Sequence, residues 1–203
     1  MKLALALLLT QAGCTSTASA PDAEPRDAGA IYEGGGACMA DVESHPEEGA
    51  SHVAACTPVS YGTSPPSSGN HYPVWAAYRV YDAPVPHGFT VHDLEHGAIV
   101  VSYNCPDGCP DDVARLVAWA NSPPPDVDCA GAPVHHRLLV TPDPTLDVPF
   151  AAASWQFTMR ASCFDEESCS RFYRDHIGHG REVVCGDGVD IASIQGGVTS
   201  CLP

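Results

Sequence analysis

An α+β fold, a small mixed sheet with two main helices in the order β-α-β-β-α, follows from three observations. Residues 98–103 (AIVVSY) form a β-branched run of strand length. From Asp111 onward Val113, Leu116, Val117 and Ala120 recur at helical spacing. Proline or glycine closes each periodic segment, which divides the chain into short elements rather than one long repeat. The 203 residues are enough for one domain with a sizeable core.

The first segment, 1–14, reads MKLALALLLTQAGC, with one lysine and a short apolar run. That run is too short to span a bilayer and reads as a secretory signal. Ala12-Gly13-Cys14 resembles the end of a bacterial lipoprotein signal, in which Cys14 is lipidated and anchors the chain to a membrane. Gln11 departs from that pattern, and cleavage after Ala18-Ser19-Ala20 is the competing reading. Residues 15–36 are small and polar and read as a disordered tether, leaving 37–203 as a single domain. The expected location is the cell envelope, lipid-anchored, or else the periplasm or exterior.

Within the domain, 38–56 reads as an acidic loop carrying His45 and His52; a copper set of Met39, His45 and His52 is conceivable, but a solvated loop fits better. Residues 61–73 are too rich in Pro, Gly and Ser for regular structure. A short strand is expected over 75–81, stopped by Pro84 and Pro86. Thr90 is placed to cap a short helix, Asp93 completes a capping-box pattern, and Gly97 suits the left-handed stop. Strand 98–103 follows, then the turn CPDGC and the helix from Asp111, which ends before Pro123. Residues 137–141 (RLLVT) and 152–160 are two further strands. A second main helix spans 165–176 with Cys169, Phe172 and Tyr173 on one face, stopped by Gly178. The tail 185–201 reads as stapled irregular structure.

The formal net charge is −16 and the only lysine is Lys2. Such a surface repels phosphate backbones, which excludes nucleic acid as a natural partner and suits a soluble exported chain. Ten cysteines in an exported chain imply disulfides. With Cys14 lost or lipidated, nine remain. Local spacing suggests Cys38 with Cys56, Cys105 with Cys109, Cys163 with Cys169 and Cys185 with Cys201, leaving Cys129 over; spacing alone does not determine connectivity.

The chemistry-bearing residues concentrate in 67–97, which holds His71, His87, His92 and His96. On a strand, His92 and His96 would stand about 13 Å apart, too far to share an ion. On a helix they are neighbours, and Glu95 shares the face of His92 while Val91 and Leu94 turn to the core. His71, between Gly69 and Pro73, is the candidate from a second segment, with His87 in reserve. His71, His92, His96 and Glu95 are therefore the candidate ligands for zinc or copper, with Asp93 or a backbone carbonyl orienting an imidazole.

Two other readings compete: a structural envelope protein whose histidines hydrogen-bond carbonyls and Glu95, and a metal-dependent hydrolase. H-x-x-E-H is the inverted zinc-protease motif, in which Glu95 would be the general base, but Gly97 cuts short the long helix such enzymes carry. His176 and His179 straddle a helix end, and His135 and His136 precede a strand, where neighbouring residues face opposite ways, so the two are not expected to enter one site. Cys105 and Cys109 have three intervening residues, not the two of a thioredoxin-type redox pair. There is no nucleophile elbow, phosphate loop or dinucleotide fingerprint, so the sequence names no reaction.

The segments PPSSGNHYPVW, YDAPVP and VHDLEHGAIVVSY resemble the signature of a group of uncharacterised exported bacterial proteins, a domain of unknown function. These share an S-G-x-H turn, a proline-flanked YD segment and a V-H-x-L-E-H-G motif. The resemblance covers about residues 61–121; it implies that His71, His92, Glu95 and His96 are signature positions, and it implies no activity. The cysteine-rich stretch from Cys163 is a departure from the group.

Overall fold

A computed structural model describes residues 31–33, 38–191 and 201. Three helices and a mixed sheet make up the fold, which agrees with the α+β reading. Its strands are β1 (Ile31–Glu33), β2 (Met39–Ser44), β3 (Ile99–Tyr103), β4 (Leu138–Pro142), β5 (Phe150–Ser154) and β6 (Phe157–Ala161). They are ordered β1-β2-β6-β5-β3-β4. Among the described strands β3 and β4 alone pair in parallel, an arrangement that needs the helical crossover between them. The helices are α1 (His87–Glu95), α2 (Pro110–Ala120) and α3 (Glu166–His176).

Both faces of the sheet are covered, which explains the unbroken apolar run at β3. Ile99 and Val101 face a core completed by Leu116 and Trp119 of α2 and Phe172 and Tyr173 of α3. Val100, one residue out of phase, faces a second core with Phe89, Val91 and Leu94 of α1 and Trp155. Helix α1 and the proline-rich loops before it thus occupy one face, and α2 and α3 the other.

Several expectations are corrected. The stretch 152–160 is not one strand: β5 and β6 form a hairpin that turns at Trp155-Gln156, where Gln156 takes φ +66. No Gly or Asn marks the turn; Gln156 is held instead by long-range bonds, its N–H to Ser67 and its side-chain amide to His45 O. The loop expected over 38–56 contains β2, which pairs with β6 from far along the chain. Strand β1 lies inside the stretch expected to be tether. The signal segment 1–14, with the lipidation site Cys14, and tether residues 15–30 lie outside the described residues. Segment 75–81 is not a strand but drapes over the open edge of β4, bridging at Val80 and Val140. Helix α1 starts at His87 after Pro86, and Thr90 is inside it, its hydroxyl donating to His87 O at 3.1 Å rather than capping.

The disulfides are Cys38–Cys163, Cys56–Cys201, Cys105–Cys109 and Cys129–Cys185. Only Cys105–Cys109 matches the pairing expected from spacing. In the β2–β6 register Ala40 lies opposite Ala161, which carries Cys38 to Cys163 rather than to Cys56. Cys129 is paired, and Cys169, turned into the core from α3, is the free thiol among the described residues. Four disulfides mark an oxidising, extracytoplasmic compartment. Among the described residues, no helix is long and apolar enough to cross a membrane.

Candidate metal centre

Helix α1 brings His92 and Glu95 together because they are three residues apart on one face. The helix stops where Gly97 adopts φ +82, which leaves the His96 carbonyl free to accept from Arg137 Nη1 at 2.7 Å. Arg137 is fully buried, and its Nε and Nη2 both bond the buried carboxylate of Asp126. This buried ion pair, hydrogen-bonded throughout, fixes the end of the helix that carries the site.

A second segment meets the helix there. His52 and His71 stand opposite each other in a parallel bridge, with Val53 N–H donating to His71 O at 2.8 Å and His71 N–H to Ser51 O at 3.1 Å. The imidazoles of His52, His71 and His92 form a near-equilateral triangle, with ring centroids 5.0, 4.8 and 4.7 Å apart. Each of these histidines and Glu95 offers a ligand atom, and the four atoms lie within 4.8 Å of one another. His71, His92 and Glu95 are buried, whereas the His52 side chain is 52% exposed and forms the outer wall.

The tautomers of the two buried histidines follow from backbone carbonyls, which only accept. His71 Nδ1–H donates to Gly69 O at 2.9 Å and His92 Nδ1–H to Tyr72 O at 2.6 Å. Each therefore directs Nε2 to the cluster, the arrangement in which a second partner orients a ligating imidazole. His71 Nε2 lies 3.0 Å from Glu95 Oε2. With Nδ1 already holding a proton, those two atoms are compatible only if a second proton or a cation lies between them. Burial lowers the His92 pKa to about 4, with the neighbouring histidines adding to the effect, so this ring is neutral near pH 7. Three imidazole nitrogens and a carboxylate oxygen are a fitting tetrahedral set for zinc, and imidazole also suits copper.

Of the residues expected from sequence, His71, His92 and Glu95 fall in this group and His96 does not. His96 is adjacent to His92 on the helix, with rings 4.6 Å apart, but it stacks edge-on against Trp75 and its Nε2 is 3.9 Å from Glu182. Its place is taken by His52, for which the sequence carried no signal beyond its residue type, since the bridge to His71 is tertiary. The inverted-protease arrangement needs both histidines of its motif as ligands with the glutamate apart, and here one histidine and the glutamate are gathered.

The remaining histidines lie elsewhere. His87 Nε2 bonds Asp143 at 2.8 Å, and His45 Nε2 bonds the Thr158 hydroxyl at 2.7 Å, so the Met39, His45 and His52 set does not assemble. His176 and His179 belong to a ring cluster with Phe157. His135 and His136, expected not to share a site, both line one separate cleft of about 420 Å³ beside Tyr78 and Arg79, because they lie in the loop before β4 and not in a strand. Asp93 does not orient a histidine; it is fully buried, and burial drives its pKa well above the usual carboxylate range, a rise opposed by the backbone N–H of Ala76.

A strap after α3 closes over the end of α1. Gly178 N–H donates to Gly97 O at 2.9 Å and Glu182 N–H to Glu95 O at 3.0 Å. A side chain at Gly180 would collide with the Glu95 carbonyl and the Gly97 amide, so the approach requires glycine. Cys129–Cys185 pins the strap beyond this point. Arg181, on the strap, places Nη1 3.7 Å from Glu95 Oε1 and Nε 3.7 Å from Glu47 Oε2.

Searches of curated proteins and of solved structures each returned no match. One protein family does match, described as "Protein of unknown function (DUF3105)", over residues 52–186, a span that opens on His52 and includes His71, His92, Glu95 and Arg181. The chain therefore belongs to the DUF3105 family of proteins of unknown function.

Proposed function

We propose that this is an exported, lipid-anchored protein whose domain binds one zinc or copper ion through His52, His71, His92 and Glu95. The observation that carries the reading is the convergence of one ligand atom from each of these four residues to within 4.8 Å of one another; the His71 Nε2 to Glu95 Oε2 contact, which takes a proton or a metal ion between its atoms, is consistent with it. Converging Nε2 atoms on rings oriented by carbonyls support a cation better than a network that merely ties a loop to a helix. Zinc is the ion the donor set fits best, because it has no redox demand and accepts mixed nitrogen and oxygen ligands. Membrane attachment is inferred from Cys14 and the apolar run before it, and the −16 charge argues against a nucleic-acid partner.

Elemental analysis of the full chain purified without an affinity tag tests the metal. One equivalent in the wild type and none in His92→Ala is the expected result. A wild type that carries no metal and gains none on titration with zinc or copper sinks the proposal. Attachment is tested separately: labelled palmitate should enter the wild-type chain and not Cys14→Ala.

A further inference from the structure

Arg181 is the one cation placed directly against the candidate ligand set among the described residues, and its donors are largely unspent. At 3.7 Å from Glu95 and from Glu47 it is within ion-pair reach of both but makes no hydrogen bond among the described residues. Arg137 differs sharply, since its guanidinium makes four hydrogen bonds. The backbone on either side of Arg181 is fixed, by Gly178 and Glu182 to the end of α1 and by Cys129–Cys185, while its side chain is 48% exposed. A rigid strap thus holds an open guanidinium beside Glu95. His52, on the other side of Glu95, leaves the same region open to solvent.

We propose that Arg181 and the metal held by His52, His71, His92 and Glu95 together bind a small oxyanion, a carboxylate or a phosphate, between them. This rests on the metal reading above. One anion oxygen would add a fifth ligand to the ion, and another would accept from the guanidinium. Loading the ion draws the charge of Glu95 toward the metal and leaves Arg181 with Glu47 alone as a carboxylate partner. Glu47 is itself engaged, its Oε2 accepting from Trp155 Nε1 at 3.0 Å. A chain of charge −16 repels anions at long range, so capture must depend on these short contacts, and anions without paired oxygens should bind poorly.

The test uses the full chain loaded with Co(II), whose visible spectrum reports its coordination, titrated separately with acetate and with inorganic phosphate. Wild type and Arg181→Gln should take up cobalt equally. The spectrum of the wild type should shift with at least one anion, and the apparent affinity should fall by about tenfold or more in Arg181→Gln. Arg181→Lys, which keeps the charge and loses the fork, should recover part of the loss. Whichever anion binds more tightly identifies the class. Equal anion affinity in wild type and Arg181→Gln, or a wild-type spectrum that neither anion moves, overturns this inference alone. Failure of the wild type to bind cobalt overturns the metal reading and this inference together.

Discussion

His71 and Glu95 face each other at 3.0 Å inside the protein, Nε2 to Oε2, while the other His71 nitrogen is committed to the Gly69 carbonyl. A buried carboxylate and a buried imidazole in this arrangement depend on each other through whatever positive charge lies between them. Removing either leaves the other without its partner in a low-dielectric setting.

The consequence for mutants is asymmetric. His71→Ala and His92→Ala should each lower zinc affinity at least about tenfold, with His71→Ala also destabilising the metal-free protein because the ring is fully buried. His52→Ala should weaken zinc binding but leave metal-free stability nearly unchanged, since half of that side chain is in solvent. Calorimetric titration with zinc and thermal unfolding of the same samples separate the two effects. Equal affinity in wild type and His52→Ala would remove His52 from the ligand set.

His92 should contribute an acid-sensitive part of the metal-free stability in a defined window, against an opposite contribution from Asp93, whose raised pKa favours the folded state as the pH falls. His92 titrates near 6.5 when unfolded and, because burial disfavours the imidazolium, near 4 when folded. Between those values the unfolded chain binds a proton that the folded chain refuses, so this contribution is full above about pH 6.5 and falls as the pH drops toward 4. The loss from this residue is up to about 3 kcal/mol. Zinc should leave over the same range, because protons compete for the ligand nitrogens. Denaturant midpoints from pH 7 to pH 4 check the sign as the difference between the wild type and a His92→Gln protein, which should lose this contribution.

The end of α1 should be sensitive at Gly97 and Arg137. A methyl group on Gly97 meets a positive φ and comes 2.8 Å from Arg137 Nη1, so Gly97→Ala should cost about 1–3 kcal/mol. Arg137→Met strands the buried Asp126 carboxylate and the His96 carbonyl and should cost about 3–5 kcal/mol. Replacing Asp126 as well, with Leu, should recover part of that cost. Urea unfolding of the single and double variants is the measurement, and additive losses would contradict a coupled pair.

Cys169 should resist thiol reagents in the native protein. Burial, reinforced by Asp165 and Glu166, pushes its thiol up to about 12, so almost no thiolate exists at neutral pH. Peptide mapping after alkylation should find Cys169 unlabelled natively and labelled in denaturant. Native labelling at the rate of an exposed cysteine would contradict its place in the core.

What could be read from the residues was the local part of the fold. The stop at Gly97, the strand that became β3, helix α2 with its Leu116 face and the small ring Cys105–Cys109 all rest on interactions a few residues apart. Three of the four gathered residues were legible for the same reason or through a motif: His92 and Glu95 by helical spacing, His71 by its turn. His52 was not, because a loop pairing with Ser51 and Val53 sets its position. His96 satisfied the helical spacing, yet Trp75 and Glu182 engage it on the other flank, and neither contact leaves a local trace. The β5–β6 turn went unseen because Gln156 is held in its left-handed conformation by Ser67 and His45, not by its own chemistry.

The pairing of β2 with β6, sealed by Cys38–Cys163, spans 125 residues of sequence. Such non-local closure costs more chain entropy than local structure and slows folding as a whole. Every candidate ligand lies between those two strands and would be synthesised before β6 exists. A nascent or translocating chain would therefore expose His52, His71, His92 and Glu95 on an open segment, where no metal geometry is enforced. On the metal reading proposed above, an ion would find its four ligands together only once the bridged loops of His52 and His71 have closed onto α1.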